Sequence, residues 1–331
     1  MAGHVVVVGS YNHDLVWEVD ALPAPGETRR GRRFRSGPGG KGMNQAVAAA
    51  RHGVATAFIG ALGKDDFAAA ARALAAAEGI DARFEAVADA ATGSAGILVD
   101  AAGRNSIVVA LGANEHLSCA HVQAQATLLR EAGVVLAPLE SPPAAVAAAF
   151  RIGRAGGART LLNPAPVHPG LDLELLGLAD LLSPNETEFT QLLARFAGVE
   201  IAAQELAGLG DEPLAALCAR LPCAAMVLTL GAAGVFAADG GPAARAVARP
   251  PQRLAAPRVA TIDTTGAGDT FNGALAAVWA SSGGEFHEAL PWAVAAASLS
   301  TERAGAALAT PRRAEVETRF ALRFPGSHPL S

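Results

Sequence analysis

The chain has 331 residues, 51% of them hydrophobic and 17% charged, so it can bury a large core, and its composition excludes a disordered protein. Its formal net charge of -5 at pH 7 argues against nucleic acid or an anionic membrane as the main partner, because both would be repelled on average. Residues 1–9 lack the basic segment of a signal peptide, and no apolar run reaches spanning length. We therefore expect a cytoplasmic protein with no membrane partner.

The first predicted element is a buried strand at residues 5–8, and the glycine-rich segment 37–42 is predicted as a bare-backbone loop before an Ala-rich helix. An amide and a carboxylate follow the strand, where we expect the carboxyl edge of the main sheet, and an ammonium group and a second amide accompany the loop. Such groups converging on one cleft are suited to a polyhydroxylated ligand. Taken singly, each motif has a structural explanation that is about as good as ligand binding. This is a capped strand-end turn for the motif after the first strand and a positive-φ turn for the glycine-rich loop. The side chains concerned are Asn12, Asp14, Lys41 and Asn44.

A small antiparallel sheet is predicted by four segments in which polar and apolar residues alternate with a period of two. A sheet that leaves an α/β body in this way suggests a lid, which we assign to residues of about 15–36 and 95–111. The four segments are residues 16–19, 28–34, 97–99 and 107–109, with a turn at 100–103.

From the middle of the chain onward, apolar strands alternate with helices. This alternation predicts a parallel sheet covered on both faces, with ligands bound beyond the carboxyl ends of its strands. Residues 239–257 are predicted as edge strands and loops, and we expect a single α/β domain over residues 1–331. The strands are predicted at 134–137, 160–162, 179–182 and 226–230, and the helices at 142–155, after 185 and at 213–220.

Residues 263–273 are the most informative segment, because a glycine-bracketed turn opens an apolar helix. Gly266 and Gly268 let an anion approach the first backbone N–H groups, where the helix dipole adds partial positive charge. Asp269 would repel that anion, so it requires an explanation. We interpret it as the base that accepts a proton from a hydroxyl attacking phosphorus. The alternative is a helix N-terminal carboxylate that stabilises the dipole.

Two further acidic motifs follow predicted strands. Glu140 is either a helix N-terminal charge or an acceptor facing the ligand. Asn185, Glu186 and Glu188 lie at a helix start, where phosphate-bound magnesium would be held through waters. The alternative for the two glutamates is that they are dipole-compensating caps. Three cysteines, at positions 119, 218 and 223, match no zinc-binding spacing and are interpreted as structural thiols.

The paired motifs Gly-Gly-Lys-Gly-x-Asn at 39–44 and Asp-Thr-x-Gly-Ala-Gly-Asp at 263–269 resemble the signatures of the ribokinase-like (PfkB) sugar-kinase family. The likeness extends along the chain and includes residues 23–28, 139–142, 163–166 and 184–188. It implies a three-layer α/β/α sandwich with a mostly parallel sheet and a β-sheet lid that also forms a homodimer contact.

The resemblance also implies a role for each matching residue. Asp269 would be the base, beside an anion hole formed by the N–H groups of Gly266, Ala267 and Gly268. In the segment that would hold a potassium ion, Ala309 and Leu308 depart from the serine and proline typical of the family. The sugar would be held by Asn12, Asp14, Gly40, Lys41, Asn44 and Glu140, the phosphates and magnesium by Asn185 and Glu188, the nucleotide by Thr229 and Gly231, and potassium by Asp263, Thr265, Ser300 and Gly305.

The expected activity is therefore transfer of a phosphoryl group from ATP to the primary hydroxyl of a pentose, with D-ribose as the expected substrate. Alternatives are a family kinase for another sugar or for a nucleoside, and a catalytically silent sugar-binding protein on the same fold. A nucleoside pocket is usually walled by aromatic residues, which make up only 5% of this chain. A binding protein would gain nothing from a repulsive Asp269.

Overall fold

The computed structural model describes residues 3–240 and 249–325. Within the segment 239–257, which was predicted as edge strands and loops, residues 241–248 lie outside the described residues. The strands are β1 (Val5–Val8), β2 (Asn12–Glu18), β3 (Arg33–Gly39), β4 (Thr56–Leu62), β5 (Asp81–Ala86), β6 (Ser94–Val99), β7 (Asn105–Ala110), β8 (Val134–Ala137), β9 (Arg159–Leu162), β10 (Leu181–Leu182), β11 (Ala225–Thr229), β12 (Val235–Asp239) and β13 (Gln252–Leu254). The α-helices are α1 (Lys41–Arg51), α2 (Asp66–Ala77), α3 (Cys119–Ala124), α4 (Ala126–Arg130), α5 (Pro143–Ala155), α6 (Leu173–Gly177), α7 (Glu186–Ala197), α8 (Ala203–Leu206), α9 (Asp211–Cys218), α10 (Ala267–Ser282), α11 (Phe286–Ser300) and α12 (Arg313–Phe320).

The main sheet has the strand order β13-β12-β11-β10-β9-β8-β1-β4-β5. Neighbouring strands from β11 to β5 are parallel, and β12 and β13 form an antiparallel edge. Val5 and Val7 face a core that includes α1, α10 and α11, whereas Val6 and Val8 face one that includes α5 and α7. The sheet is therefore buried on both faces between two helical layers, which explains why its strands are uninterrupted apolar runs. The prediction of edge strands in 239–257 is confirmed at β13.

The second sheet has the order β3-β2-β6-β7. Its two hairpin-like pairs are antiparallel, but β2 pairs with β6 in parallel, so the prediction of a purely antiparallel sheet is wrong. The reason is that β2 and β6 belong to separate excursions from the main sheet, and both leave it in the same direction. Residues 28–32 are not part of a strand, because this polar, arginine-rich stretch has no apolar face to bury.

The turn after β1 differs from the expectation in one important respect. Asn12 and Asp14 lie on β2 of the second sheet, not at the carboxyl end of the main sheet. They pair with Gly39 and Gly37, so the predicted loop at 37–39 is the end of a strand. Gly40 has a φ of 86°, and a Cβ there would lie 2.4 Å from the backbone N of Asn12. Glycine at this position therefore lets the chain turn directly from β3 into α1.

Several predicted boundaries shift along the main sheet. The strand predicted at 179–182 is limited to β10, because the N–H of Ala179 donates to Leu176 and closes the end of α6. The apolar helix after the glycine turn begins already at Ala267, which places Asp269 in its first turn. Cys218 and Cys223 are fully buried, and burial raises the pKa of both thiols, that of Cys223 to about 12. Among residues 3–240 and 249–325, no helix combines the length and apolar character that a membrane span requires.

Candidate active site

Glu140 is the centre of a buried cluster that joins three of the residues expected to hold a sugar. Its Oε2 atom accepts hydrogen bonds from the backbone N of Lys41 at 2.9 Å and from Nδ2 of Asn12 at 3.3 Å. The hydroxyl of Ser10 donates to the same oxygen at 2.5 Å. Glu140 is only 8% exposed. One carboxylate oxygen is thus fixed by three donors from different parts of the chain.

Asp14 lies on the same strand as Asn12, two residues further on, so both side chains point to one face. Burial raises the pKa of the Asp14 carboxyl to about 6, and the negative charge of Glu140 adds to this shift. A Cβ on Gly39 would lie 2.3 Å from that carboxylate. Gly39 therefore makes room for the carboxylate of Asp14, which the glycine motif alone did not indicate.

Asp269 is held by two amide groups from α1. Asn44 Nδ2 donates to Oδ2 at 2.9 Å and Gln45 Nε2 donates to Oδ1 at 3.0 Å. The same Gln45 nitrogen also donates to Asn163 Oδ1 at 3.0 Å, which links the carboxylate to the end of β9. Burial raises the pKa of Asp269, whereas the charge of Lys41 and the hydrogen bonds from the two side-chain amides oppose that rise. A buried carboxylate with a raised pKa is a stronger base than one in water.

Lys41 interacts electrostatically with carboxylates from three parts of the candidate site. Burial acts to lower the pKa of its ammonium group, but Asp269, Glu140 and Glu188 together outweigh that effect and raise it. The ammonium group therefore stays protonated at neutral pH and balances carboxylates on both sides. A fixed cation in this position would attract a phosphate to the same place.

The glycine turn predicted as an anion site lies at the start of α10. Gly266 is the N-cap of α10 with a φ of 73°, a conformation that L side chains rarely adopt. A Cβ on Gly268 would have no heavy atom within 4 Å, so this face of the turn is open to a ligand. The N–H of Ala267 donates to Thr264 at 3.2 Å, which closes the turn.

Asn185 and Glu188 form a reciprocal capping box at the start of α7. The backbone N of Asn185 donates to Glu188 Oε2 at 2.9 Å, and the backbone N of Glu188 donates to Asn185 Oδ1 at 2.8 Å. Asn185 also pairs with Thr229 at the carboxyl end of β11, along the carboxyl edge of the main sheet. Gly231 follows Thr229 by two residues and has a φ of 53°. The structure thus places these four residues along one edge, while the capping alternative accounts for the local geometry of Asn185 and Glu188.

The predicted potassium segment is joined by one carboxylate. Asp263 Oδ1 accepts from the backbone N and the hydroxyl of Thr265, at 2.9 and 2.6 Å, and Oδ2 accepts from the backbone N of Gly305 at 2.9 Å. Burial acts to raise the pKa of Asp263, but these hydrogen bonds outweigh it and lower the pKa. Ser300 ends α11, next to Thr301, whose carbonyl accepts from the backbone N of Asp263. In the described part of the chain, no three acidic, histidine or cysteine side chains cluster as a metal site.

Over residues 2–313, the sequence matches the profile described as "pfkB family carbohydrate kinase". The chain belongs to this family. It is therefore a phosphotransferase that acts on an alcohol group, and the expected family and fold class are confirmed.

Named relatives of this pfkB family kinase are ribokinases. The ribokinase of Haemophilus influenzae is 37% identical over 316 residues, which cover 94% of this chain and 96% of that protein. Mouse ribokinase is 37% identical over 277 residues, covering 83% of this chain and 81% of its own. The structure of Arabidopsis thaliana ribokinase complexed with ribose and ATP matches with a TM-score of 0.77 and 31% identity, covering 96% of this chain and 98% of that one. Giardia lamblia ribokinase matches with a TM-score of 0.83 and 29% identity, covering 96% of this chain and all of that one.

Two polar residues of this kinase support the candidate site but were not predicted from the sequence. Asn114 is fully buried, and its Nδ2 donates to Asn12 Oδ1 at 3.0 Å and to the carbonyl of Tyr11 at 2.9 Å. Gln45 orients Asp269, as described above. Gln45 stands inside a recognised motif and so had a sequence signal, whereas Asn114 lies in a short 3-10 turn with nothing local to mark it.

Proposed function

We propose that this chain is a ribose kinase that transfers the γ-phosphoryl group of ATP to the 5-hydroxyl of D-ribose, giving D-ribose 5-phosphate and ADP. The observation that carries the proposal is the direct contact between the two ends of the site, since Asn44 and Gln45 both bind Asp269. The names of the relatives, which include a ribokinase complexed with ribose and ATP, support ribose as the sugar.

In this proposal, the sugar hydroxyls pair with Asp14, Asn12 and Glu140, while Gly40, Lys41 and Asn44 complete the pocket. These contacts place the primary hydroxyl against Asp269, which takes its proton as the oxygen attacks the γ-phosphorus in line with the leaving ADP. Developing charge on the transferring group is stabilised by the N–H groups of Gly266 and Gly268 and by the helix dipole, while the N–H of Ala267 closes the turn by donating to Thr264.

Magnesium is assigned to the edge that carries Asn185 and Glu188. Oxygen donors suit this ion, and since no complete protein cage is present in the described residues, the phosphates and waters would supply the remaining ligands. The bound ion would neutralise phosphate charge. Thr229 and Gly231 are assigned to the nucleotide, and Asp263, Thr265, Ser300 and Gly305 to a potassium ion that stabilises the glycine turn.

The second sheet is assigned as a lid over the sugar and as the contact of a cytoplasmic homodimer, within a single-domain chain. Its surface carries large apolar side chains, with Phe34 54% and Val108 74% exposed, which favours contact with a second copy. Sedimentation at micromolar concentration tests this assignment. A protein that stays monomeric would contradict it.

The substrate is tested by measuring ADP release with a panel of pentoses, hexoses and nucleosides, at saturating ATP and magnesium. We expect D-ribose to give the highest kcat/KM. A higher value for a hexose or a nucleoside would move the assignment to another branch of the same family. Absence of ADP release with every compound, from a protein that binds ribose, would favour the silent binding protein instead.

A further inference from the structure

Arg51, the last residue of α1, binds the loop that follows α11. Its Nη1 atom donates to three backbone carbonyls, those of Ala307 and Leu308 at 3.2 Å and that of Thr310 at 2.6 Å. Its Nε and Nη2 atoms donate to the carboxylate of Glu78, at distances down to 2.6 Å. The two side chains are 10% and 7% exposed. One guanidinium thus fixes three carbonyl dipoles that would otherwise repel each other.

The loop that Arg51 holds, residues 305–310, lies directly behind the glycine turn. A Cβ on Gly266 would come within 2.9 Å of Cα of Ala306, so the two backbones are in contact. The hydroxyls of Thr270 and Thr310 are 2.9 Å apart, which connects the loop to the first turn of α10. A displacement of the loop would therefore be passed to the N–H groups that face the phosphate.

The other end of α1 is equally well fixed. Gln45 and Asn44 bind Asp269, and a Cβ on Gly273 would lie 2.3 Å from the carbonyl of Gln45, so α1 and α10 meet backbone to backbone. One helix therefore carries the groups that orient the base at its start and the group that fixes the loop behind the glycine turn at its end.

We propose that Arg51 is a positioning residue for phosphoryl transfer, which acts through the loop 305–310 on the glycine turn and not through the sugar. The inference rests on the proposed kinase activity. Preorganised donors stabilise transition-state charge only while their geometry is held, so a loosened loop lowers kcat and leaves sugar binding unchanged. Glu78 is the partner that orients the guanidinium, and its own pKa is lowered chiefly by the hydrogen bonds from Arg51.

The test uses Arg51→Met, which keeps the volume of the stem but removes all donors, and the double variant Arg51→Met/Glu78→Gln. The single variant leaves a buried carboxylate without its main partner and is expected to lower the Tm. The double variant removes that charge and should recover much of the Tm. Its kcat should stay at least about 10-fold below the native value, with the sugar KM within about twofold. Glu78→Gln alone retains the Arg51 donors, so its kcat should fall less than that of the double variant.

Arg159→Met is the matched control, because Arg159 donates to the carbonyls of Trp279 and Gly283 at the opposite end of α10. That end lies about 20 Å along the helix from Asp269. The Arg159→Met substitution should lower the Tm and leave kcat unchanged. The proposal is overturned if kcat recovers together with the Tm in the double variant, or if Arg159→Met lowers kcat equally. The kcat of each variant is compared with the native kcat, using the best substrate of the panel. A best substrate other than ribose would therefore refute the proposed substrate without affecting this test.

Discussion

The sugar end and the phosphate end of the candidate site differ in which part of the chain forms them. At the sugar end, Asn12, Asn44 and Glu140 are each at most 8% exposed, and their side chains are held by hydrogen bonds, from Asn12 to Glu140 and from Asn44 to Asp269. At the phosphate end, residues 264–268 are half-buried or exposed, and the groups proposed to bind phosphate are backbone N–H groups. Side chains that are fixed by burial hold their own positions. Gly266 and Gly268 have no side chains of their own, so the geometry of the turn depends on Asp263 and on the segments packed behind it.

This difference means that substitutions at the two ends should have separable effects. Changes at the sugar end should act on sugar affinity, and changes at the phosphate end should act on kcat. Asp269 lies at the junction, because it is buried with the sugar cluster but belongs to the helix that begins at the glycine turn.

The largest effect is expected for Asp269→Asn, which keeps the shape of the side chain and removes its capacity to accept a proton. Turnover should fall by about 10²- to 10⁴-fold while ribose still binds, as measured by kcat and by calorimetric titration. Asp66→Asn is the control, because Asp66 is an exposed carboxylate in the first turn of a different helix, α2. If both variants turned over at the native rate, Asp269 would be only a dipole-stabilising residue.

A smaller effect, confined to the sugar end, is expected for Asp14→Ala. Ligand hydroxyls would lose an acceptor in a closed pocket at a cost of about 1–3 kcal/mol, so the ribose KM should rise about 5- to 150-fold. The ATP KM should stay near its native value. A parallel rise of both constants would instead indicate that Asp14 supports the fold.

The pH dependence of ribose binding sharpens the same assignment. The Asp14 carboxyl has a pKa of about 6, and its ionised form is the one that accepts hydroxyl hydrogen bonds. Affinity should therefore be constant above this pH and weaken as pH falls through 6, approaching about tenfold per pH unit. Calorimetric titration between pH 5 and pH 8 measures this, and in Asp14→Asn the loss of affinity below pH 6 should be absent. If that variant lost affinity in the same way, another carboxyl would be responsible.

The smallest effect is expected in the potassium segment. Asp263 retains the full negative charge, so loss of a neutral hydroxyl at Ala309 should weaken the proposed ion site without abolishing it. Potassium should activate the native chain at a higher concentration than it activates Ala309→Ser. Activity is compared in potassium chloride and in tetramethylammonium chloride at equal ionic strength. Equal rates in both salts would mean that the loop, held by Arg51, keeps its geometry without a cation.

The family and the main sheet could be predicted because their signals are local. Uninterrupted apolar strands predict a sheet buried on both faces, and the glycine motifs mark positive φ at Gly40 and Gly266. The parallel pairing of β2 with β6 could not be predicted, because alternation within each strand does not say which strand becomes its neighbour.

The candidate site was predictable as a set of residues but not as a set of contacts. The motifs named Asn44 and Asp269, yet their hydrogen bond joins positions 225 residues apart. The same limit applies to Asn114 and to Arg51, whose partners lie on distant segments. Side-chain chemistry is visible in the sequence, whereas the loop that a guanidinium fixes depends on tertiary packing.

The central claim is that the sugar end binds ribose and presents its 5-hydroxyl to Asp269. The most direct test compares D-ribose with 5-deoxy-D-ribose, which keeps the ring hydroxyls but lacks the proposed acceptor. We expect 5-deoxy-D-ribose to inhibit competitively against ribose and to release no ADP above the rate without sugar. ADP release with 5-deoxy-D-ribose at a rate close to that with ribose would show that another hydroxyl is phosphorylated, and would contradict this account.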